Sequence, residues 1–323
     1  MILQQFLRIA LTCLSKSLFS METVVITGGT GLIGKPLSKR LIEKGYNVIH
    51  LTRKSNPQSS IPYYFWNPER NEIDRKAISE ADYIIHLAGA GIGDKRWTKK
   101  RRQLIYDSRI KTCELLFNKV KESGTNLKAF ISASGIGYYG TETSEKIFSE
   151  TDQPSGDFIG KVCHQWEQMA GRFEESGVRT VKIRTGIVLT RKGGALARMM
   201  IPVRMGIGSA LGNGRQYIPW IHIDDLCNIY IKALEDTALR GAFNAVAPEH
   251  KTNKDFMRTL AKVLKKPFFF PNIPAVILKI IFGKMSGILL NGSKVSAGKI
   301  IASGYSFQFP ELENALRDLL KKK

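Results

Sequence analysis

The sequence contains few cysteines, and it has fewer acidic than basic residues. Its 323 residues include four cysteines, at positions 13, 113, 163 and 227, and no two of them have the CxxC spacing of a zinc site. Neither a metal site nor a disulfide framework is therefore indicated, and a reducing compartment is expected. The 49 Lys and Arg residues outnumber the 28 Asp and Glu residues, which gives a net charge of +21. This charge indicates either anionic partners or a solvated basic surface.

Long uninterrupted apolar runs, internal repeats and low-complexity segments are also missing. The most apolar region, residues 268–290, is broken by Pro271, Pro274, Lys279 and Lys284. We therefore expect no membrane-spanning helix and no membrane partner.

The first 20 residues require separate treatment. They include Arg8, Lys16 and several serines but no acidic residue, and on a helix their polar residues would form one stripe. This pattern resembles a mitochondrial presequence. We nevertheless expect a cytoplasmic protein whose translation starts at Met21, directly before the first predicted strand. The alternative is a mitochondrial location, if residues 1–20 are a genuine presequence. Residues 1–20 are excluded from the fold prediction in either case.

From residue 21 onward, short β-branched runs alternate with helical patterns. Such alternation predicts an α/β fold with a doubly wound parallel sheet and right-handed crossovers. The predicted helices cover about 32–44, 95–121 and 164–176. The predicted strands are 23–27, 47–52, 63–65, 82–89, 128–134 and 179–189.

The composition changes after Thr190, where glycines cluster in residues 193–216. We interpret this change as the start of a smaller C-terminal lobe over the carboxyl edge of the sheet. The predicted divisions are an N-terminal extension, 1–20, a nucleotide-binding domain, 21–190, to which 217–247 returns, and a substrate-side lobe made of 191–216 and 248–323.

The stretch TGGTGLIGK, residues 27–35, joins a predicted strand to a predicted helix. In that context Gly28 permits the tight turn, Gly31 lets the backbone approach a pyrophosphate, and Gly34 lets the helix pack closely on the sheet. The helix N-terminus directs amide hydrogens at the phosphates. The motif therefore predicts a Rossmann-like dinucleotide site. The other turn residues expected to contact the cofactor are Thr30, Leu32 and Ile33.

The second predicted strand ends at Thr52, and Arg53 follows it. A site selective for NAD usually places an acid here for the ribose hydroxyls, whereas arginine accommodates the 2′-phosphate of NADP. We therefore predict that NADP(H) is preferred and NAD(H) possible, with Thr52 and Arg53 as contacts. The alternative is that Arg53 belongs to a solvated basic turn.

Several phrases resemble the extended and atypical short-chain dehydrogenase/reductases, and more closely the NAD(P)-binding epimerase family proteins with a C-terminal domain of unknown function. The resemblance runs from about Met21 to the C-terminus. It implies further cofactor contacts at Leu87, Ala88, Gly89, Arg109 and Val188. The phrases are TGGTGLIG, LAGAGIGDKRW, SRIKT, SASGIGYYG, GDFIGKVCHQWE, RTGIVL, GNGRQYIPWIHIDD and FNAVAP.

The same resemblance implies catalytic roles. Ser134 matches a serine that binds a substrate oxygen, and Lys161 matches a lysine that binds the nicotinamide ribose. The proton-donating tyrosine of such enzymes, four residues before the lysine, is replaced by Asp157. Tyr138 and Tyr139, which follow the strand that carries Ser134, are the alternative proton donors.

We therefore expect an NADP(H)-dependent oxidoreductase or epimerase that acts on a small carbonyl or hydroxyl compound. The alternative is an NADP(H)-binding module with little or no turnover. Ile187 and Ile218 occupy positions where nucleotide-sugar enzymes often carry a polar or charged residue, which argues against such a substrate. Although residues 95–103, KRWTKKRRQ, are strongly basic, no nucleic-acid motif accompanies them, so nucleic acid is not an expected partner. The substrate, the direction of reaction and the oligomeric state stay open.

Overall fold

The computed structural model describes residues 21–53 and 59–321. The presequence-like segment, residues 1–20, lies outside the described residues. The strands are β1 (Thr23–Thr27), β2 (Asn47–Thr52), β3 (Tyr63–Asn67), β4 (Glu72–Ile73), β5 (Tyr83–His86), β6 (Ala129–Gly135), β7 (Ile147–Phe148), β8 (Thr180–Thr185), β9 (Ile187–Leu189), β10 (Trp220–His222), β11 (Gly241–Ala245) and β12 (Lys294–Val295).

The helices alternate with the strands in the first half of the chain and dominate its end. Among the described residues, no helix combines the length and apolar composition needed to cross a bilayer. The α-helices are α1 (Gly34–Glu43), α2 (Arg75–Ser79), α3 (Lys99–Ser123), α4 (Phe158–Glu175), α5 (Gly194–Arg204), α6 (Ile223–Glu235), α7 (Asn253–Val263), α8 (Ala275–Phe282), α9 (Gly287–Leu290), α10 (Gly298–Ala302) and α11 (Leu312–Leu320).

Eight strands form the main sheet, in the order β11-β8-β6-β5-β1-β2-β3-β4. All neighbouring pairs are parallel except β3 and β4. The chain winds outward from β1 through β2 and β3, and then returns to build the other half from β5. The predicted doubly wound sheet is confirmed. Its order reverses between β1 and β5, which is where such sheets bind ligands at their carboxyl ends.

The two faces of the sheet are covered by different helices. Val24 and Ile85 belong to the core cluster that includes α1 and α6. Val25 and Ile84, their neighbours along the strands, belong to the cluster that includes α3 and α4. Successive strand residues point to opposite faces, so strands buried on both sides are apolar throughout. Because such strands appear as continuous apolar runs, the sequence predicts the strands 23–27 and 47–52 with the bounds that the structure shows.

The prediction of one continuous strand over residues 179–189 is wrong. Residues 179–189 form two strands, β8 and β9, separated by Gly186. A Cβ on Gly186 would lie 2.8 Å from the carbonyl oxygen of Pro219 and 2.9 Å from Val246. The chain bends at this crowded point, and β9 leaves the main sheet to pair with β10.

The long basic helix begins later than predicted. The prediction started it at residue 95, whereas α3 begins at Lys99. The hydroxyl of Thr98 accepts a hydrogen bond from the amide of Arg101 at 3.1 Å, which caps the first turn. Residues 95–98 therefore precede the helix.

A buried carboxylate ties the C-terminal segment to α6. Asp225 is fully buried, and its Oδ1 accepts hydrogen bonds from the Tyr305 hydroxyl and the Gln308 amide, both at 2.8 Å. Its Oδ2 accepts one from the Phe309 amide at 3.0 Å. Three donors from residues 305–309 thus form hydrogen bonds with the Asp225 carboxylate of α6. A buried carboxylate requires such partners.

The substitution Asp225→Asn tests this link. An amide nitrogen cannot accept a hydrogen bond, so at least one of the three donors would be left buried and unpaired. We expect the free energy of unfolding, measured by urea denaturation, to fall by about 1–3 kcal/mol. Glu69→Gln, at an exposed turn, is the control and should change it by less than about 0.5 kcal/mol. Equal effects of the two substitutions would contradict the proposed role of Asp225.

Candidate cofactor and active site

The glycine turn after β1 touches the backbone that follows β5. Gly28 has a φ of +70°, and a Cβ there would lie 3.1 Å from the Ala88 nitrogen and from the Leu87 carbonyl carbon. A side chain is excluded both by this contact and by the left-handed backbone. The turn is closed by a hydrogen bond of 2.9 Å from the Gly31 amide to the Gly28 carbonyl.

Gly34 allows α1 to begin close to the turn. A Cβ on Gly34 would lie 2.3 Å from the Gly28 carbonyl oxygen. Ile33, which precedes the described helix α1, forms no side-chain hydrogen bond that would cap it. The first turn of α1 contains no acidic residue. Its amide groups and the positive end of its dipole are therefore suited to a pyrophosphate. The residues fit the dinucleotide predicted from the sequence.

A second glycine, to which the sequence analysis assigned no role, is equally restricted. A Cβ on Gly29 would lie 2.3 Å from the His50 ring. His50 in turn forms a hydrogen bond of 2.7 Å with the Ser38 hydroxyl of α1. The GG pair thus lets β2 and α1 pack against the turn from both sides.

Thr27 and His86 hold the chain segment after β5 in place. The Thr27 hydroxyl accepts hydrogen bonds from the amides of Leu87 at 3.1 Å and Ala88 at 3.2 Å. It lies 2.7 Å from Nδ1 of His86, whose Nε2 lies 3.2 Å from the Thr112 hydroxyl. Burial lowers the pKa of His86 to about 4, so the ring is neutral at neutral pH. This network sets the position of residues 87–89 at the crevice.

Arg109 is a buried cation beside the same segment. Its Nη1 donates hydrogen bonds to the carbonyl oxygens of Ala90 at 3.0 Å and Ile105 at 2.9 Å. A Cβ on Gly89 would lie 3.1 Å from the guanidinium carbon. Burial lowers the pKa of Arg109 to about 10. No ion pair to Arg109 occurs among the described residues, and its charge faces the backbone carbonyls, the Ser108 hydroxyl and the Trp166 ring, whose centroid is 5.2 Å away.

The remaining predicted cofactor contacts lie at the same edge of the sheet. Thr52 ends β2, and Arg53, directly after it, is exposed to solvent. Val188 lies in β9, opposite Ile221 of β10. The Leu32 side chain lies 3.2 Å from the position of a Cβ on Gly194, the first residue of α5. The start of α5 therefore lies against the glycine turn.

Ser134 and Tyr139 belong to one buried network around Arg184. The Ser134 hydroxyl donates to Oε1 of Glu167 at 2.7 Å, and Arg184 donates to both oxygens of Glu167 at 2.8 Å. Arg184 also donates to the Tyr139 hydroxyl at 2.9 Å, which donates to Oδ1 of Asn244 at 2.7 Å. Burial raises the pKa of Tyr139 to about 12. The network joins the ends of β6, β8 and β11.

Tyr138 and Lys161 lie outside these hydrogen bonds. The Arg184 guanidinium carbon lies 3.5 Å from the ring centroid of Tyr138. Burial raises the pKa of Tyr138, and the charge of Arg184 opposes that shift. Lys161 is exposed in the first turns of α4, and its ammonium forms no hydrogen bond or ion pair within the described ranges. The structure therefore brings Ser134, Tyr138 and Tyr139 together around Arg184 and leaves Lys161 available to a ligand.

Asp157, which stands at the usual tyrosine position, caps a helix. Its Oδ1 accepts a hydrogen bond from the Gly160 amide at 2.7 Å, at the N-terminus of α4. Its Oδ2 accepts two more at 2.8 Å, from the amide and the hydroxyl of Thr141. Both oxygens thus serve to cap α4 and to fix the loop after Tyr139.

One cluster has the residue types of a metal site. His222, Asp224 and Asp318 have potential ligand atoms within 4.8 Å of one another. Nδ1 of His222 accepts a hydrogen bond from the Asp224 amide at 3.1 Å, so a neutral ring carries its hydrogen on Nε2, which faces Asp318. A protonated nitrogen cannot bind a metal. Asp224 pairs with Arg40 at 2.6 Å, so the cluster caps α6 and links it to α1.

The polar residues that hold the site together were not predicted from the sequence. His86 interrupts an otherwise apolar strand, Arg184 is buried in β8, and Glu167 lies on the buried side of α4. A polar residue inside a strand that is apolar on both faces requires a buried partner. That signal was present for His86 in DYIIHLAG, although its partners could not be identified from it. The strand of Arg184 contains Thr180, Lys182 and Thr185 as well, so Arg184 did not stand out.

Comparison with known proteins agrees with this geometry. Residues 24–245 match the model of the NAD dependent epimerase/dehydratase family, and residues 273–319 match a domain of unknown function, DUF1731. An epimerase family protein of Staphylococcus saprophyticus is 36% identical over 302 residues, which cover 93% of this chain and all of the relative. The human epimerase family protein SDR39U1 is 34% identical and is covered over 99% of its length, against 92% of this chain.

Solved structures show the same fold. The crystal structure of human SDR39U1 (isoform 2) with NADPH has a TM-score of 0.82 and 32% identity, and the match covers 92% of this chain and 98% of that one. The UDP-glucose 4-epimerase of Thermotoga maritima, solved with UDP-glucose, has a TM-score of 0.71 at 20% identity, with 91% of this chain and 96% of that one covered. The second likeness supports the fold alone.

Burial of His86 predicts a loss of stability in mild acid. Its pKa is about 4 in the folded protein against an ordinary value of 6.5, so between these values the unfolded chain binds a proton that the folded chain does not. The free energy of unfolding should therefore fall as the pH is lowered through this window, by up to about 3 kcal/mol from this residue. The measurement is urea unfolding at pH 7 and pH 5.

The variant His86→Asn isolates this contribution. It should be less stable than the wild type at pH 7, because it loses part of the network, but it should lose less further stability at pH 5. His250→Asn, which changes a histidine that is only half-buried, is the control and should keep the wild-type pH dependence. An unchanged pH dependence in His86→Asn would refute the role of His86.

Proposed function

The chain belongs to the NAD dependent epimerase/dehydratase family, and from that premise we propose that it is an NADP(H)-dependent oxidoreductase or epimerase of the short-chain dehydrogenase/reductase type. Its substrate would be a small carbonyl or hydroxyl compound. The observation that carries the proposal is the glycine turn, which opens an uncapped helix at the point where the strand order reverses.

Arg53 supports NADP(H) as the preferred cofactor. It is exposed directly after β2, where a 2′-phosphate would lie. Neither of the last two described residues here, Thr52 and Arg53, is an acid that could hold the ribose hydroxyls of NAD. The structure of the human relative was solved with NADPH, which supports the same choice. NAD(H) would bind more weakly at this site.

Residues 87–89 and Arg109 would form the opposite wall of the crevice. Thr27 and His86 hold the backbone of Leu87 and Ala88, so their contacts with a cofactor would need little rearrangement. Arg109 is a buried charge without an anionic partner in the described chain, and it is placed to attract a polar or anionic part of a ligand. Val188 would close the crevice from β9.

When bound, the nicotinamide cofactor supplies or accepts a hydride. Lys161 would hold the ribose, because its ammonium is exposed and lies one turn after Asp157. Tyr138 is our preferred proton donor. The Tyr139 hydroxyl already donates to Asn244, and its pKa is raised to about 12. Ser134 donates its hydrogen to Glu167, so in this rotamer it would accept a hydrogen bond from a substrate hydroxyl.

The alternative is an NADP(H)-binding module with little turnover, and a specific observation favours it. Both oxygens of Asp157 accept structural hydrogen bonds, Oδ1 from the start of α4 and Oδ2 from Thr141, while Ser134 and Tyr139 are hydrogen-bonded inside a buried network. A catalytic constellation normally leaves its donors directed at the substrate. Of the predicted catalytic residues, Lys161 is exposed, whereas the Tyr138 ring is buried beside Arg184 and His164, so the alternative stands beside the enzyme proposal.

Cofactor selectivity tests the first part of the proposal. The protein should bind NADPH more tightly than NADH in titrations that follow nicotinamide fluorescence. Arg53→Ala should weaken NADPH binding by roughly tenfold or more, because a charge-assisted hydrogen bond is lost, and should leave NADH binding nearly unchanged. Arg240→Ala is the matched control, since Arg240 precedes β11 at the amino end of the sheet. Equal losses for NADPH and NADH would contradict the role of Arg53.

Turnover tests the second part. The NADPH complex is incubated with a panel of small carbonyl compounds, and cofactor oxidation is followed. We expect oxidation with at least one compound, and we expect Tyr138→Phe to abolish it with unchanged NADPH affinity, because the proton donor is lost. Tyr139→Phe is the companion variant and should retain more activity. Tight binding without oxidation of any compound would favour the binding module.

A further inference from the structure

Helix α8 turns apolar side chains outward. Val276 is 61% exposed, Ile277 44%, Ile280 70% and Ile281 53%. These positions are i, i+1, i+4 and i+5, so they lie on one face of the helix. Leu278, on the opposite side, is buried. A helix that exposes its broad apolar face to water is unfavourable unless another surface covers it.

Two exposed phenylalanines precede α8 in the chain by a few residues. Phe269 and Phe270 are exposed, and their rings stack with centroids 4.7 Å apart. The end of α5 is adjacent, because a Cβ on Gly206 would lie 3.9 Å from Pro267. We call the set Val276, Ile277, Ile280, Ile281, Phe269 and Phe270 the apolar face.

Basic residues surround the apolar face. Residues 256–310 contain eight Lys and Arg residues and no Asp or Glu. Lys279 and Lys284 are exposed within and just after α8. Arg96 reaches the end of α8, because a Cβ on Gly283 would lie 2.9 Å from its Nη2. The basic stretch 95–103 is thereby brought beside the apolar face, although it is distant in the sequence.

The basic residues of this stretch stand at the end of α3 where positive charge is electrostatically unfavourable. Helix α3 begins with four consecutive basic residues, Lys99 to Arg102, and its described first turn contains no acid. Positive side chains at a helix N-terminus are repelled by the helix dipole. Lys99 and Lys100 are exposed. An anionic partner would offset this repulsion.

The expectation of no membrane partner rested on the lack of a spanning segment and does not bear on surface binding. We propose that the apolar face and its basic surroundings dock on the surface of an anionic lipid bilayer. The isoleucines and phenylalanines would enter the boundary between head groups and acyl chains. Lys279, Lys284 and Arg96 would contact lipid phosphates, as basic residues flanking interfacial helices do. Helix α8 has eight residues, about 12 Å, which is far short of a bilayer. The protein therefore lies on the membrane and does not span it.

The charge distribution disfavours other occupants. In a symmetric dimer through this face, Lys279, Lys284 and Arg96 would oppose the same residues of the second copy, and residues 256–310 offer no acid to pair with them. Residues 1–20 also carry basic residues and no acid, so they too lack charge complementarity with the face. An anionic lipid surface would cover the apolar side chains and neutralise the basic ones.

Vesicle flotation tests the proposal. The full-length protein is mixed with vesicles of phosphatidylcholine, with or without phosphatidylglycerol, and the floating fraction is measured. We expect flotation with the anionic vesicles only. Ile280→Asp should lower the bound-to-free ratio by about tenfold or more, because a charge replaces an inserted side chain. Lys279→Glu combined with Lys284→Glu should produce a loss of similar size.

Matched variants separate this face from general effects of charge and hydrophobicity. Ile42→Asp changes an isoleucine of α1 that is 47% exposed, and Lys39→Glu combined with Lys111→Glu changes the net charge by the same amount as the α8 pair. Both controls should float like the wild type. Melting temperatures and NADPH affinity verify that every variant is folded.

Four outcomes would overturn the proposal. The first is that the wild type does not float with anionic vesicles. The second is that the control variants lose as much binding as the α8 variants. The third is that the α8 variants float normally, which would assign binding to another segment such as residues 1–20. The fourth is that light scattering shows a dimer that Ile280→Asp dissociates, which would make the face an interface between two copies.

Discussion

Two backbone segments meet at the point where the strand order reverses, and most of the candidate site depends on that contact. Gly28 lies so close to Leu87 and Ala88 that a Cβ would come within 3.1 Å of their backbone atoms. The Thr27 hydroxyl, supported by His86, holds the same two residues from the adjacent strand. Because the contact leaves no room for a side chain at Gly28, backbone atoms line this part of the crevice.

A second set of buried polar groups fixes the other half of the crevice. The pair formed by Glu167 and Arg184 joins the ends of β6, β8 and β11 through Ser134, Tyr139 and Asn244. Every member has a partner, as a buried ion pair requires, since the loss of one member would leave an uncompensated charge. The same hydrogen bonds would restrict any chemistry by Ser134 and Tyr139, which is why Tyr138 and Lys161 carry more weight in the proposed mechanism.

Charge is distributed unevenly over the chain, and this links the site to its surroundings. Residues 256–310 lack acids, and the basic start of α3 lies beside the end of α8 through Arg96. Only residues 90–94 separate Gly89, at the proposed cofactor crevice, from Lys95, where the basic stretch begins, so the proposed docking surface and the proposed crevice are close along the chain.

The sequence by itself determined several strands of the main sheet, its doubly wound parallel class and the glycine turn. These follow from local patterns, since 23–27 and 47–52 are apolar on both faces and TGGTGLIGK joins a strand to a helix. Only the tertiary structure decided the break at Gly186, because the atoms that crowd it belong to Pro219 and Val246. It alone assigned Asp157 to helix capping, and it alone turned the apolar side of α8 outward. A local pattern shows that a residue is apolar or polar, whereas its partner depends on distant parts of the chain.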